Sequence, residues 1–433
     1  MIASATSTTA GLAPSLPGGA TAAEVPAPLL PGEHFAAALG FFVLGGLGLA
    51  YVARELAIGI FFVPHVIAVV HLFTLGWIVT SIFGALCQFL PVAVGRGLRW
   101  PRAAHVSFVA HVVGVALFVD GVATNAPAAV HAGACGVTTA FVLFAANLAA
   151  TLADVRERGV TWWALAGAAL FMVITPAYGV VLAINLHGGA LVGASRFTVV
   201  AVHAHVAIVG IVLLVIVGVA HRLLPMFLLS HGAGERAAWI AIASLFAGAA
   251  VLAFPAGGDL RLAAGGGLAA LGILAFLVQA ASFIRHRKRR RIDPGMRLAV
   301  AGLLGLASAV AIAPVALSRG LGDLPLLTTY FAVVLGAISL FVAGHHLKII
   351  PFLVWYHRFG PLVGTRKVPK VAELFSERAA SVSGALLILG WIGLAAGIHA
   401  GDATVVRAAA LVFTAGAVSE AAIIARLAQR RPA

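Results

Sequence analysis

The chain has 433 residues, of which 62% are hydrophobic and 10% charged, with a mean hydropathy of +1.07. Soluble domains carry about 25% charged residues, so this composition excludes a water-soluble globular protein. The 28 Lys and Arg outnumber the 14 Asp and Glu, but in so apolar a chain positive charge is first a matter of membrane topology and does not imply nucleic acid.

Residues 1–34 are rich in Ala, Pro, Ser and Thr and contain no Lys or Arg. They lack the basic start of a signal peptide and read as a disordered cytoplasmic tail ahead of one transmembrane domain, 35–428. A spanning helix needs about 20 mostly apolar residues. Twelve such runs follow, near 36–53, 59–92, 103–121, 129–152, 162–185, 198–229, 238–255, 262–284, 298–317, 326–355, 379–398 and 405–427. Abundant Gly and Ala without alternating β-branched stretches predict an all-α polytopic bundle in a lipid bilayer, not a barrel. Cys87 and Cys135 lie in apolar runs with no CxxC spacing, so neither a disulfide framework nor a zinc motif is expected.

Charge sets the expected orientation. One side holds both termini and the loops after the even-numbered spans, and it collects all but five of the basic residues. The exceptions are Arg54, Arg196, Arg261, Arg319 and Arg407. The positive-inside rule makes the rich side cytoplasmic. The run RHRKRRR at 285–291 is a topology anchor that could also touch anionic lipid.

Spans two, six and ten are longer than the rest and share an ending. Aligned on Pro91, Pro225 and Pro351, they are spaced by 134 and 126 residues, about one four-helix unit each, which predicts three pseudo-symmetric four-helix repeats. Twenty residues before the proline stand His71, His205 and Phe331, and four or five before it stand Cys87, His221 and His346. Twenty helical residues cover about 30 Å, the hydrocarbon thickness. The histidines therefore divide into an outer layer (His65, His71, His203, His205) and a cytoplasmic layer (His221, His345, His346), with His111 and His105 of the third span at similar inner depth.

Histidine inside a span is costly without a partner. A single one is most simply a helix–helix hydrogen bond, but several on three related helices suit haem or metal ligation, since neutral imidazole is the commonest metal ligand. His203 and His205 lie about 200° apart around a helix, so the two cannot both face one iron. The repeat alignment favours His205 paired with His71 as axial ligands, with His203 and His65 nearby. His221, His345, His346 and His111 could hold a second haem or copper, although Lys348 and Arg222 beside them also suit an anionic headgroup or propionates. Gly76, Gly84, Gly210 and Gly344 admit either a porphyrin or close helix packing. Acidic residues are nearly absent from the spans, Asp120 and Glu420 excepted, which speaks against ion-coupled transport and a carboxylate proton relay.

Twelve spans, cytoplasmic termini, three repeats and histidines on spans two, six and ten together resemble subunit I of the haem–copper oxidase superfamily. HLFTLGWIVTSIFGALCQFLP, 71–91, looks like that superfamily's low-spin haem segment, and HAHVAIVG followed by HRLLPMF looks like segments of its small relatives. The chain is also similar in size and HxH signature to the NnrS family. The resemblance implies a bacterial inner-membrane protein carrying one or two haem b groups, with copper conceivable at the inner histidines. It further implies a cytochrome or quinol electron donor and partner subunits. The seventh span has no histidine and the tenth carries adjacent His345 and His346 instead of HxH, so the standard helix-7 copper ligands are missing and oxygen or nitric oxide reduction does not carry over. The expectation is thus a haem-binding oxidoreductase-like protein that transfers electrons or binds a small gas. A non-redox transporter or metal-handling protein is the competing class. A cofactor-free scaffold, with Trp355 and Tyr356 as an interfacial belt, is a third reading.

Overall fold

The computed structural model describes residues 27–186, 188, 196–254 and 258–432. The expected tail falls largely outside them. The twelve long helices are α1 (Leu29–Tyr51), α2 (Pro64–Val94), α3 (Pro101–Thr124), α4 (Pro127–Ala153), α5 (Val160–Leu186), α6 (Phe197–Leu228), α7 (Arg236–Ala253), α8 (Gly258–Arg285), α9 (Pro294–Gly322), α10 (Leu324–Arg358), α11 (Glu377–Ala400) and α12 (Ala403–Gln429). Each is long and apolar enough to cross a bilayer, and no strand is found among the described residues.

Local chemistry explains where the helices begin and end. Proline stands in the first turn of α2, α3, α4, α9 and α10, where its missing N–H costs no helical bond. Asp293, Asp323, Ser376 and Asp402 cap α9 to α12 by accepting first-turn N–H groups. The first helix starts at Leu29 and not at 36, because Pro31 fits its opening turn and Leu30, Phe35 and Phe42 are all buried. The second starts at Pro64 and not at 59. Gly59 is left-handed (φ 76°), with its would-be Cβ 2.8 Å from the Leu324 carbonyl carbon, and it breaks the apolar run.

Consecutive helices α3/α4, α7/α8, α9/α10 and α11/α12 form the tightest antiparallel pairs, and α1 closes against α12. Glycine lets their backbones meet: a Cβ on Gly133 would lie 2.3 Å from the Phe118 backbone nitrogen, and one on Gly390 would lie 2.4 Å from that of Phe413. Loops on one side of the bundle touch one another. Arg99 pairs with Asp154, Lys288 N–H donates to Leu229 O, Arg291 pairs with Glu377, and Arg430 donates to Glu373 O. This is the side rich in Lys and Arg, called the basic side below. Leu304, Leu389, Val106 and Val278 are exposed around the perimeter, as a lipid-facing belt requires.

In 18-residue windows, 67%, 61% and 61% of α2, α6 and α10 is buried, against 33–50% in the other nine helices. The three helices singled out by their shared ending thus form the centre of the bundle. α2 and α6 also share a distortion: a π-helical segment spans Leu72–Val79 in one and Val206–Leu213 in the other. The two segments are offset by the same 134 residues as Pro91 and Pro225. The corresponding stretch of α10 is regular α-helix.

Alanine at Gly133 should weaken folding although its helix propensity is better, because the new methyl meets backbone and the α3/α4 pair must part. A loss of about 1–3 kcal/mol in detergent unfolding is expected. Gly266→Ala, which meets nothing within 4 Å, should be neutral or stabilising. Asp293 supplies a second prediction. Burial alone would raise its carboxyl, but Lys348 Nζ at 2.7 Å, with Arg289 and the Met296 N–H, holds it below the usual carboxylate range. Its contribution is complete above the unfolded value of about 3.9 and disappears as pH falls through the lower folded value. Asp293→Asn should therefore lower stability by about 1–3 kcal/mol at neutral pH and converge with the parent in acid, as read by thermal unfolding against pH.

Candidate functional site

The two π segments begin immediately after His71 and His205, and π turns recur at functional positions because they displace carbonyls from the regular ladder. The displaced Leu75 carbonyl accepts from Thr80 Oγ1 at 3.0 Å and from His111 Nε2 at 3.1 Å. This ties His111 to the middle of α2, away from the inner histidines with which the sequence grouped it.

On the opposite side of the bundle His71 meets His203, not His205. The two imidazole rings are 6.4 Å apart centre to centre and 24° from parallel. His205 lies instead beside Phe331, at 6.3 Å, and His65 is exposed against Tyr51. Sequence alignment of α2 with α6 pointed to His205, but facing sides are decided by how two helices cross, and α6 turns His203 toward α2.

A common anchoring scheme prepares these rings. His71 Nδ1 donates to Ile67 O at 2.7 Å, His205 Nδ1 to Ala201 O at 2.7 Å, and His203 Nδ1 to Thr175 O of α5 at 3.2 Å. A carbonyl can only accept, so the proton sits on Nδ1 and Nε2 carries a free lone pair, the arrangement found in metal-bound histidine. All three rings remain partly accessible. Gly179 leaves room for His203, since a Cβ there would lie 3.3 Å from its Cε1.

The inner histidines separate. His221 Nε2 is 3.3 Å from Glu235 Oε1, and its ring faces Phe283. His345 Nδ1 donates to Phe341 O at 2.8 Å, and its ring lies between Phe341 and Phe227. His346 turns the other way, toward α1, α2 and α12, where Phe35, Trp77 and Glu420 surround it. Lys348 is paired with Asp293 and is not free for a headgroup or propionate. His105 pairs with Glu33 at the start of α1, at 2.7 Å. Among the described residues no three His, Cys, Asp or Glu side chains converge as a metal-ligand group.

The four glycines considered for a porphyrin are occupied by neighbours. A Cβ on Gly76 would strike Phe41 at 2.6 Å, one on Gly210 Phe171 at 2.5 Å, one on Gly84 His34 at 2.7 Å, and one on Gly344 the Gly295 carbonyl at 2.4 Å. They serve helix packing. Two apolar voids remain. One of about 80 Å³ is bounded by Phe73, Phe331, Trp391 and Phe413, and one of about 40 Å³ lies a turn below the His71–His203 pair, beside Thr74, Thr175 and Ile208. Neither encloses a porphyrin-sized space. Glu420, which the sequence offers only as an exception to the scarcity of acids in the spans, is the one acidic side chain in the buried polar set among the described residues, and its partner becomes visible only with α10 docked beside it. No protein-family model matches the chain, and no curated protein matches it either.

Proposed function

We propose that this integral membrane protein binds haem b through His71 and His203 and serves electron transfer. The observation that carries the reading is the spacing of the two rings. Were both Nε2 atoms to hold one metal from opposite sides through bonds of about 2.0–2.1 Å, the ring centres would stand about 6.4 Å apart. The observed separation is 6.4 Å, with the planes 24° from parallel. Two histidines are too few for a bare zinc ion, which takes three or four protein ligands, but would suffice where a porphyrin supplied the remaining four nitrogens.

Bound haem would supply a one-electron couple. The chain's own part is to orient and insulate it. Ile67 O and Thr175 O hold the two imidazoles in the Nδ1–H form and raise their basicity at Nε2. Phe118 lies against the His71 ring at 4.9 Å and limits its rotation. If His71 and His203 both held the iron, no position would be left open for a gas, which would favour electron transfer over gas binding. The resemblance to haem–copper oxidases and to the NnrS family agrees with this reading, as does the charge bias expected of an inner-membrane protein with both termini cytoplasmic. His221, His345, His346 and His111 do not enter the site, and His205 lies beside it.

Purified protein expressed with ample haem should show a Soret band and, after dithionite, sharp α and β bands. His71→Ala should abolish or greatly reduce the six-coordinate spectrum, and His203→Ala should convert it to a high-spin form that binds carbon monoxide. His205→Ala should leave it nearly unchanged. A colourless parent protein overturns the haem reading, whereas loss of the low-spin bands in His205→Ala, with His203→Ala unaffected, overturns the pairing alone.

A further inference from the structure

Glu420 of α12 and His346 of α10 are 0% and 1% exposed, and Glu420 Oε1 lies 3.9 Å from His346 Nδ1. His346 stands twelve residues before the end of α10 and Glu420 nine before the end of α12, about 18 Å and 14 Å of helix from the basic side. Both are therefore inside the hydrocarbon layer. Neither carboxylate oxygen of Glu420 and neither ring nitrogen of His346 has a hydrogen-bond partner, and the indole N–H of Trp77, whose ring meets His346 edge to face at 4.7 Å, has none either.

Unpaired polar groups at this depth are expensive, and an intramembrane ionisable residue with a named neighbour is by default a functional site. The side chains that flank the pair on α1 and α10 supply no counter-ion. α1 offers the Phe35 ring, at 5.0 Å from His346, while His34 turns to Phe108. On α10, His345 is held by Phe341 O and Lys348 by Asp293. The pair thus has no counter-ion and too few donors for a resident metal ion, but it matches the needs of a single proton.

We propose that His346 and Glu420 jointly hold one exchangeable proton within the membrane. With the proton on a Glu420 oxygen, the carboxyl group donates to the Nδ1 lone pair of neutral His346. With the proton transferred to Nδ1, the O–H bond breaks, the N–H bond forms, and a carboxylate–imidazolium pair results. Both arrangements are neutral overall, so transfer between the two sites leaves no uncompensated charge in lipid. The short shift needed to close the 3.9 Å gap lies within side-chain rotation. Trp77, whose ring meets His346, keeps an indole N–H without a partner beside the pair. This site is independent of the haem reading, since it shares no residue with His71 or His203.

Infrared spectroscopy of the whole protein in lipid nanodiscs at neutral pH tests it. A protonated-carboxyl stretch is expected that shifts when glutamate is ¹³C-labelled, shifts again in D₂O, and vanishes in Glu420→Gln. His346→Gln should keep the band but move it, because its hydrogen-bond acceptor has changed. If Glu420→Gln does not assemble, the labelled wild-type protein and His346→Gln decide. Absence of both this band and a labelled carboxylate band that responds to His346→Gln, insensitivity of the carboxyl band to D₂O, its persistence in Glu420→Gln or its indifference to His346→Gln would each overturn the proposal.

Discussion

In lipid no water is present to satisfy a polar group, and nearly every feature of this protein answers to that constraint. It makes all twelve long segments helical, because a helix pairs its own N–H and C=O groups. It also explains why the bundle is held together by small residues. Apolar side chains gain nothing by leaving lipid for protein, so cohesion comes from the close approach that Gly133, Gly390 and Gly344 permit. Histidine in such a medium must find an acceptor, and His71, His203, His205 and His345 each give Nδ1–H to a backbone carbonyl.

That anchoring has a chemical consequence. Once the Nδ1 proton is committed, the Nε2 lone pair is the free coordinating group of each ring, and this is what the proposed function draws on at His71 and His203. The π segments after His71 and His205 belong to the same account. Each shifts the helical register just beyond a histidine and releases carbonyls, one of which accepts from both Thr80 and His111. The distortion stands at the same offset in α2 and α6 and is absent from α10, whose histidines lie in regular helix nearer the basic side. Related endings therefore coexist with different local geometry, and the centre of the bundle is not three-fold in its chemistry.

The Glu420–His346 pair and the His71–His203 pair are built by opposite means. In the second, backbone carbonyls satisfy one nitrogen of each ring and leave the other accessible. In the first, nothing satisfies either partner but the other, and burial is complete. A low dielectric strengthens any interaction that is made and penalises any that is not. The first pair therefore accords with the proton-holding role proposed for it, and the second with the ligand-binding role proposed for it.

Hydrophobic run length, proline and capping residues determined the twelve helices, because these are properties of ten to thirty neighbouring residues and lipid enforces them. The shared ending of the second, sixth and tenth spans also identified the helices that lie at the centre, and positive charge identified the side on which the even-numbered loops meet. Which histidine faces which was a different matter. A one-residue change in register swings a side chain by about 100°, and the π segments alter that register from within, so His203 rather than His205 comes to His71. Glycine patterns were equally ambiguous in sequence, and only the docked neighbours Phe41, Phe171, His34 and Gly295 showed that they serve packing. Glu420 and His346 are 74 positions apart in the chain and become a pair solely because α10 and α12 lie side by side. Local chemistry decided the elements, and helix packing, which depends on contacts far apart in sequence, decided the sites.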